Sequence, residues 1–253
     1  MTERKPRILI LGGTGEARRL ATLLMDDYDI ETSLAGRTTA PKALPGRVRN
    51  GGFGGAEGLA DYLMREGVDF LVDATHPYAA RMGANAALAA ARCDVPLVRL
   101  ERPEWIKQQG DRWVEFDSLP ALVAALPGLG KHAFVSLGGA GLEAFSGLTD
   151  MQLTVRAIDP PAALKDRSDI TLILDQGPFD LAGERKLLSE RGADVLVSRN
   201  AGGAATYAKI AAARDLGITV AMLARPDRPQ GIETAGDPED AARRIFGRLA
   251  SFT

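Results

Sequence analysis

The sequence predicts an α/β protein built from two units, each with a mostly parallel sheet covered on both faces. Three observations carry this. Short apolar runs alternate with segments of helical period along the chain, and that alternation marks parallel strands joined by crossover helices. The first run, Ile8-Leu9-Ile10-Leu11, contains no polar residue, as expected of a strand buried on both faces. A polar stretch from Glu101 to Arg112 interrupts the alternation, which then starts afresh.

In chain order, the strand Arg7 to Leu11 stops at Gly12-Gly13-Thr14-Gly15. Glu16 to Asp26 then places Ala17, Leu20, Ala21, Leu24 and Met25 at helical spacing. A second strand fits Asp29 to Ala35, followed by Gly36-Arg37-Thr38. Arg47 to Gly55 is strand-like and then glycine-rich, Leu59 to Glu66 is helical, and Asp69 to Ala74 is a third apolar strand. A helix from about Ala79 to Arg92 and a strand from Pro96 to Leu100 close the first series. After the polar stretch, His132 to Leu137 is a strand ending in Gly138-Gly139-Ala140-Gly141, and Leu142 opens a helix. Further strands fit Leu153 to Ile158, Thr171 to Leu174, Asp194 to Ser198 and Thr219 to Leu223. Helices fit Gly183 to Arg191 and Ala204 to Leu216. Asp237 caps a last amphipathic helix, Pro238 to Leu249. Leu137-Gly-Gly-Ala-Gly echoes Leu11-Gly-Gly-Thr-Gly, and the recruitment of glycines to any tight strand-to-helix turn explains this better than duplication does.

A chain of 253 residues is about the size at which single cores begin to divide, so length alone allows one large α/β unit or two smaller ones. Hydrophobic residues at 45% and charged residues at 25% are those of a globular protein, which excludes disorder and fibre. The 31 Lys and Arg nearly balance the 33 Asp and Glu, a net charge of -2. No global field therefore draws the chain to nucleic acid or an anionic membrane, and neither is an expected partner. Cys93 is the one cysteine, and His76 and His132 are the two histidines. That count excludes disulfide frameworks and the usual Cys/His zinc sites, so no metal is expected. The N-terminal apolar run is too short for a signal peptide, and no run nears the roughly 18 to 20 apolar residues of a membrane span. A cytoplasmic protein is expected.

The glycine turn between the first strand and first helix lets backbone N–H groups approach a phosphate, at a helix end that favours negative charge. It departs from the dinucleotide fingerprint, because Arg18 stands where a third Gly or Ala belongs and Ala17 comes one place early. At the end of the second strand, where an NAD site carries an acid for the ribose hydroxyls, this chain has Arg37 and Thr38. A cation and a hydroxyl suit the 2′-phosphate of NADPH, and the missing acid counts against an S-adenosylmethionine site. Asp73-Ala74-Thr75-His76-Pro77-Tyr78 ends the third strand at the carboxyl edge, where ligands of open α/β sheets bind. A histidine there can orient substrate or donate a proton, and it can equally be a structural histidine fixed before a proline. Gln176-Gly177-Pro178-Phe179 and Arg199-Asn200-Ala201-Gly202-Gly203 end strands of the second series in the same way. No GxxxxGK[ST], GxSxG or HExxH motif is present, and no tyrosine has a lysine four residues on.

ILGGTGEA from Ile10, SLAGRT from Ser33, GGFGG from Gly51, VDATHPYA from Val72, RPEW from Arg102, GPF from Gly177, and RNAGG followed by AKIAAARDLGI resemble the precorrin-6A reductases of cobalamin biosynthesis. Seven motifs in register make the resemblance specific, and it runs from residue 8 to about residue 226. It implies two Rossmann-like domains with a cleft between them: residues 1–100 binding NADPH, and residues 101–253 forming the second α/β domain on the substrate side. It also implies NADPH-dependent reduction of a ring double bond of precorrin-6A to give precorrin-6B. The substrate would be a polycarboxylate tetrapyrrole, and transient contact with neighbouring pathway enzymes is compatible with that role.

The resulting assignment gives the cofactor to Gly12, Gly13, Thr14, Gly15, Glu16, Ala17, Arg37, Thr38 and Thr75. Tyr78, Gly177, Arg199, Asn200, Gly202 and Gly203 would face the substrate, and His76 is the one candidate acid. The family often has Phe in place of Tyr78, so that hydroxyl is not expected to be an obligatory acid. It often has Lys in place of Arg199; a guanidinium keeps the charge but gives up no proton at neutral pH, which leaves anion binding as its role. The rival readings are a methyltransferase of the same pathway, disfavoured by Arg37, and a non-catalytic dinucleotide sensor.

Overall fold

A computed structural model describes residues 4–35, 43–164 and 167–250. The chain divides into two compact units, residues 1–103 with 226–253, and residues 104–225.

The first unit opens with β1 (Arg7–Leu11), α1 (Gly15–Leu24), β2 (Asp29–Leu34), β3 (Arg47–Asn50), α2 (Ala56–Glu66), β4 (Phe70–Asp73), α3 (Ala80–Cys93) and β5 (Leu97–Leu100). The second holds β6 (Trp113–Phe116), α4 (Leu119–Leu129), β7 (His132–Ser136), β8 (Gln152–Ala157), β9 (Ile170–Leu174), α5 (Leu181–Glu190), β10 (Val195–Arg199), α6 (Ala208–Leu216) and β11 (Thr219–Leu223). The chain then returns to the first unit for β12 (Glu233–Ala235) and α7 (Pro238–Leu249).

In the first unit the strand order is β3-β2-β1-β4-β5-β12, every pairing parallel. This is the order of a dinucleotide-binding doubly wound sheet, whose switch point lies between β1 and β4. Because side chains alternate across a strand, Ile8 and Ile10 of β1 join Leu20, Leu24 and Ile245 in one core. Leu9 and Leu11 join Leu59, Leu63 and Ala86 in the other. Burial on both faces is why β1 is wholly apolar after Arg7, each buried Ile or Leu side chain contributing roughly 1.5 to 3 kcal/mol.

The second sheet runs β9-β8-β7-β10-β11-β6, again parallel throughout. Its switch point falls between β7 and β10. The order repeats that of the first sheet except that the sixth place is filled by β6, which precedes the others in sequence. The two glycine turns that echo one another, after Leu11 and after Leu137, therefore end equivalent strands.

Three expectations are corrected. The second unit ends at Arg225, because β12 pairs with β5 and α7 packs on α1, returning residues 226–253 to the first unit. Leu142 opens only a four-residue 3₁₀ turn to Phe145, where Ser146-Gly147 stops it. Between Arg112 and His132 the chain forms β6 and α4, which sequence pattern did not show. No helix among the described residues is long and apolar enough to cross a membrane.

Candidate active site

In the first unit the glycine turn and the loop after β4 meet at the switch point. Gly12 has φ +112°, and a Cβ there would lie 2.7 Å from the Ala74 carbonyl oxygen, so only glycine permits this approach. Its N–H donates to Ser33 O at 2.9 Å, tying the turn to β2. Thr14 caps α1, its Oγ1 accepting from Ala17 N at 3.1 Å and donating to Ala74 O at 3.0 Å. With Ala17 N–H capped and Arg18 N–H bonded to Thr14 O, Gly15 and Glu16 carry the first-turn N–H groups that the helix does not satisfy. A Cβ on Gly15 would meet nothing within 4 Å, so this face of the turn is open. Glu16 accepts from Arg102 Nη1 at 2.9 Å, which draws the head of the RPEW segment to the start of α1.

At the end of β4 the buried Asp73 carboxylate organises its loop. Oδ1 accepts from Thr75 N at 3.1 Å and Thr75 Oγ1 at 2.6 Å, while Oδ2 faces Arg228 at 3.4 Å and Arg99 at 3.7 Å. His76 Nδ1 accepts from Tyr78 N at 3.3 Å, so the neutral imidazole carries its proton on Nε2. The His76 and Tyr78 rings sit 5.7 Å apart. At the carboxyl end of β3, Arg49 stacks 3.9 Å above the Phe53 ring and donates to Ser33 Oγ at 2.8 Å. Glu31 of β2 accepts from Tyr62 Oη at 2.8 Å. Burial and this carboxylate push the Tyr62 hydroxyl up to about 12.

The second unit gathers its own loops at β7 and β10. Arg199 Nη2 donates to Ala140 O at 2.8 Å, joining the two strand ends. Asn200 Oδ1 accepts from Trp105 N at 2.8 Å and its Nδ2 donates to Trp105 O at 3.1 Å. The indole Nε1 of Trp105 donates to Gly203 O at 2.7 Å. Gly202 and Gly203 are both left-handed, with φ of 70° and 72°. Phe179 N donates to Ala205 O at 3.4 Å, bringing the Gly177-Pro178-Phe179 segment to this loop. Beneath it, Arg156 stacks 3.8 Å from the Phe179 ring and is held by a buried two-bond ion pair with Glu184.

Residues 7–245 match the family model for precorrin-6x reductase, CbiJ/CobK. The chain belongs to that family. It is 47% identical to the precorrin-6A reductase of Sinorhizobium sp over 97% of this chain and 95% of the relative. It is 49% identical to that of Rhodococcus erythropolis over 91% and 94%. A solved structure of CobK precorrin-6A reductase superposes with a TM-score of 0.88 at 42% identity, covering 97% and 96% of the two chains. The chain is accordingly an oxidoreductase of a family that uses a nicotinamide cofactor.

For a precorrin-6x reductase the sequence-predicted residues divide into three groups. Gly12, Gly13, Thr14, Gly15, Glu16, Thr75, His76 and Tyr78 are gathered at the first switch point, and Gly177, Arg199, Asn200, Gly202 and Gly203 at the second unit's strand ends. Several have internal work. Ala17 is in the core, the hydroxyls of Thr14 and Thr75 are engaged by Ala17 and Asp73, and the Asn200 carboxamide grips Trp105. Arg37 and Thr38 lie outside the described residues. Sequence reasoning passed over Arg49, Arg225 and Arg228. Arg49 carried a signal, a strand-end cation just before an aromatic in a glycine-rich segment. The other two fall where no strand or helix pattern draws attention.

Proposed function

We propose that the chain reduces a ring double bond of the polycarboxylate tetrapyrrole precorrin-6A, giving precorrin-6B, with NADPH as reductant. The observation that carries the reading is the open turn at Gly15, at the switch point of a sheet with the dinucleotide-binding strand order. Gly15 and Glu16 N–H groups would bind the pyrophosphate, aided by the positive end of the α1 dipole. Arg37 and Thr38 would take the 2′-phosphate, and Arg49 adds positive charge at the neighbouring strand end. Bound there, the cofactor supplies a hydride.

The protein's own contribution is mainly positioning. Asp73 fixes Thr75 in the loop that carries His76, whose neutral imidazole would orient the substrate by hydrogen bonding through Nε2–H, with water supplying the proton that follows the hydride. Tyr78 carries no obligatory proton. Arg199, always charged, suits a substrate carboxylate, and Gly177, Gly202 and Gly203 let a flat ligand approach backbone. Titration of the protein with NADPH, NADH and S-adenosylmethionine, followed by precorrin-6A, tests the reading. Tight binding of NADPH alone, and loss of its near-ultraviolet absorbance on adding precorrin-6A, is expected. Binding of S-adenosylmethionine instead would replace the reading with a methyltransferase.

A further inference from the structure

Four residues flank the two crossings of the chain between the units, and they repeat one pattern. On the first unit's side Glu101 Oε2 lies 3.7 Å from Arg228 Nε; on the second unit's side Glu104 Oε1 lies 3.6 Å from Arg225 Nε. Both side chains are largely covered, with exposures of 11% for Arg228 and 9% for Arg225. Each also donates to two consecutive backbone carbonyls. Arg228 Nη2 reaches His76 O at 3.2 Å and Pro77 O at 2.7 Å, with Nη1 on Asp73 Oδ2. Arg225 reaches Asn200 O at 2.9 Å through Nε and Ala201 O at 3.2 Å through Nη2.

We infer that the return segment Arg225-Pro226-Asp227-Arg228 is a double clamp, Arg225 positioning the loop after β10 and Arg228 positioning the loop after β4. A carbonyl satisfied by a buried cation cannot swing out to water without leaving that cation short of partners, so each loop is held in one conformation. The planar fork spreads its donors over a carboxylate and two carbonyls, whereas a lysine would have to reach all three from a single nitrogen. Two arginines three residues apart, one working in each unit, anchor this stretch although it forms neither helix nor strand. Neither arginine needs to touch a ligand, so both are positioning residues. Their consequence for turnover rests on the reductase reading above; their grip on the loops does not.

The test is hydrogen exchange on the full-length protein, with turnover measured on the same samples. Arg228→Ala should raise exchange about 10-fold or more in peptides covering 75–79 and leave 200–204 unchanged; Arg225→Ala should do the reverse. Arg228→Lys, the milder change, should show the same local pattern at smaller amplitude and serves if the alanine variant does not fold. In the reductase assay Arg228→Ala should lower kcat about 10-fold or more, with methylguanidinium restoring part of the loss. Unchanged exchange at both loops, or a rise spread evenly over β1, β4 and β5, would overturn the clamp. Absence of NADPH oxidation by the wild-type protein would overturn the reductase reading while leaving the exchange result to judge the clamp.

Discussion

Gly12 and Gly15 stand three residues apart in one turn and serve different ends. A side chain at Gly12 collides with the Ala74 carbonyl and must adopt φ +112°, so Gly12→Ala should remove roughly 1 to 3 kcal/mol of stability in a urea titration. Gly15 faces open space. Gly15→Val should therefore melt like the wild type and yet fail to bind NADPH by isothermal titration; wild-type affinity would move the pyrophosphate off this turn. For His76, hydride delivery to a conjugated macrocycle demands little acid help. His76→Ala should reduce kcat by no more than the roughly 10² to 10⁴ characteristic of a lost general acid. An inactive but folded variant would make His76 indispensable instead. The sequence displayed both of these glycines and the histidine. It concealed that Thr75 and Asn200 direct their side chains inward, because a polar residue at a strand end looks alike whether it meets a ligand or a neighbouring backbone.

At the scale of elements, legibility followed length and two-sided burial. β1, β4 and β10 read as strands because both their faces are covered, and α1 and α7 read as helices because one stripe of each is apolar. β6 escaped notice because an edge strand of four residues with two exposed members carries no periodicity. α4 escaped because it is apolar nearly all round and contains Pro127. β12 has only three residues, too few to register as a strand. The link between β2 and α2 offers a pH test. Tyr62 is raised from 10.0 to about 12, mainly by burial and then by Glu31. The unfolded chain therefore loses this proton first as pH rises, and stability falls between those two values. Tyr62→Phe should lose less stability than the wild type on going from pH 10 to pH 12 in chemical denaturation. Parallel losses would place Tyr62 in solvent.

The whole molecule is a dinucleotide-type sheet interrupted after its fifth strand by a second unit whose sheet repeats that order in all but its sixth place. Sequence reading found the first crossing, since Glu101 to Arg112 is polar and aperiodic, and missed the second. The return to the first unit depends on long-range pairing of β12 with β5, which local pattern cannot reveal. The ends of the inserted unit are adjacent, Glu104 lying 3.6 Å from Arg225. A chain of residues 104–225 alone should therefore melt cooperatively by circular dichroism, and a featureless melt would show that the insert cannot fold alone. Truncation at Arg225, by contrast, should leave the first unit without β12 and α7 and expose the core around Ile245.

The central claim is hydride transfer from a nicotinamide to the tetrapyrrole, and label transfer tests it most directly. The protein is incubated with precorrin-6A and each of the two C4-deuterated diastereomers of NADPH, and the product is weighed by mass spectrometry. The account predicts a product two hydrogens richer than precorrin-6A that carries deuterium from one diastereomer and not from the other. A product labelled by neither, or one formed equally well without any nicotinamide, would contradict it.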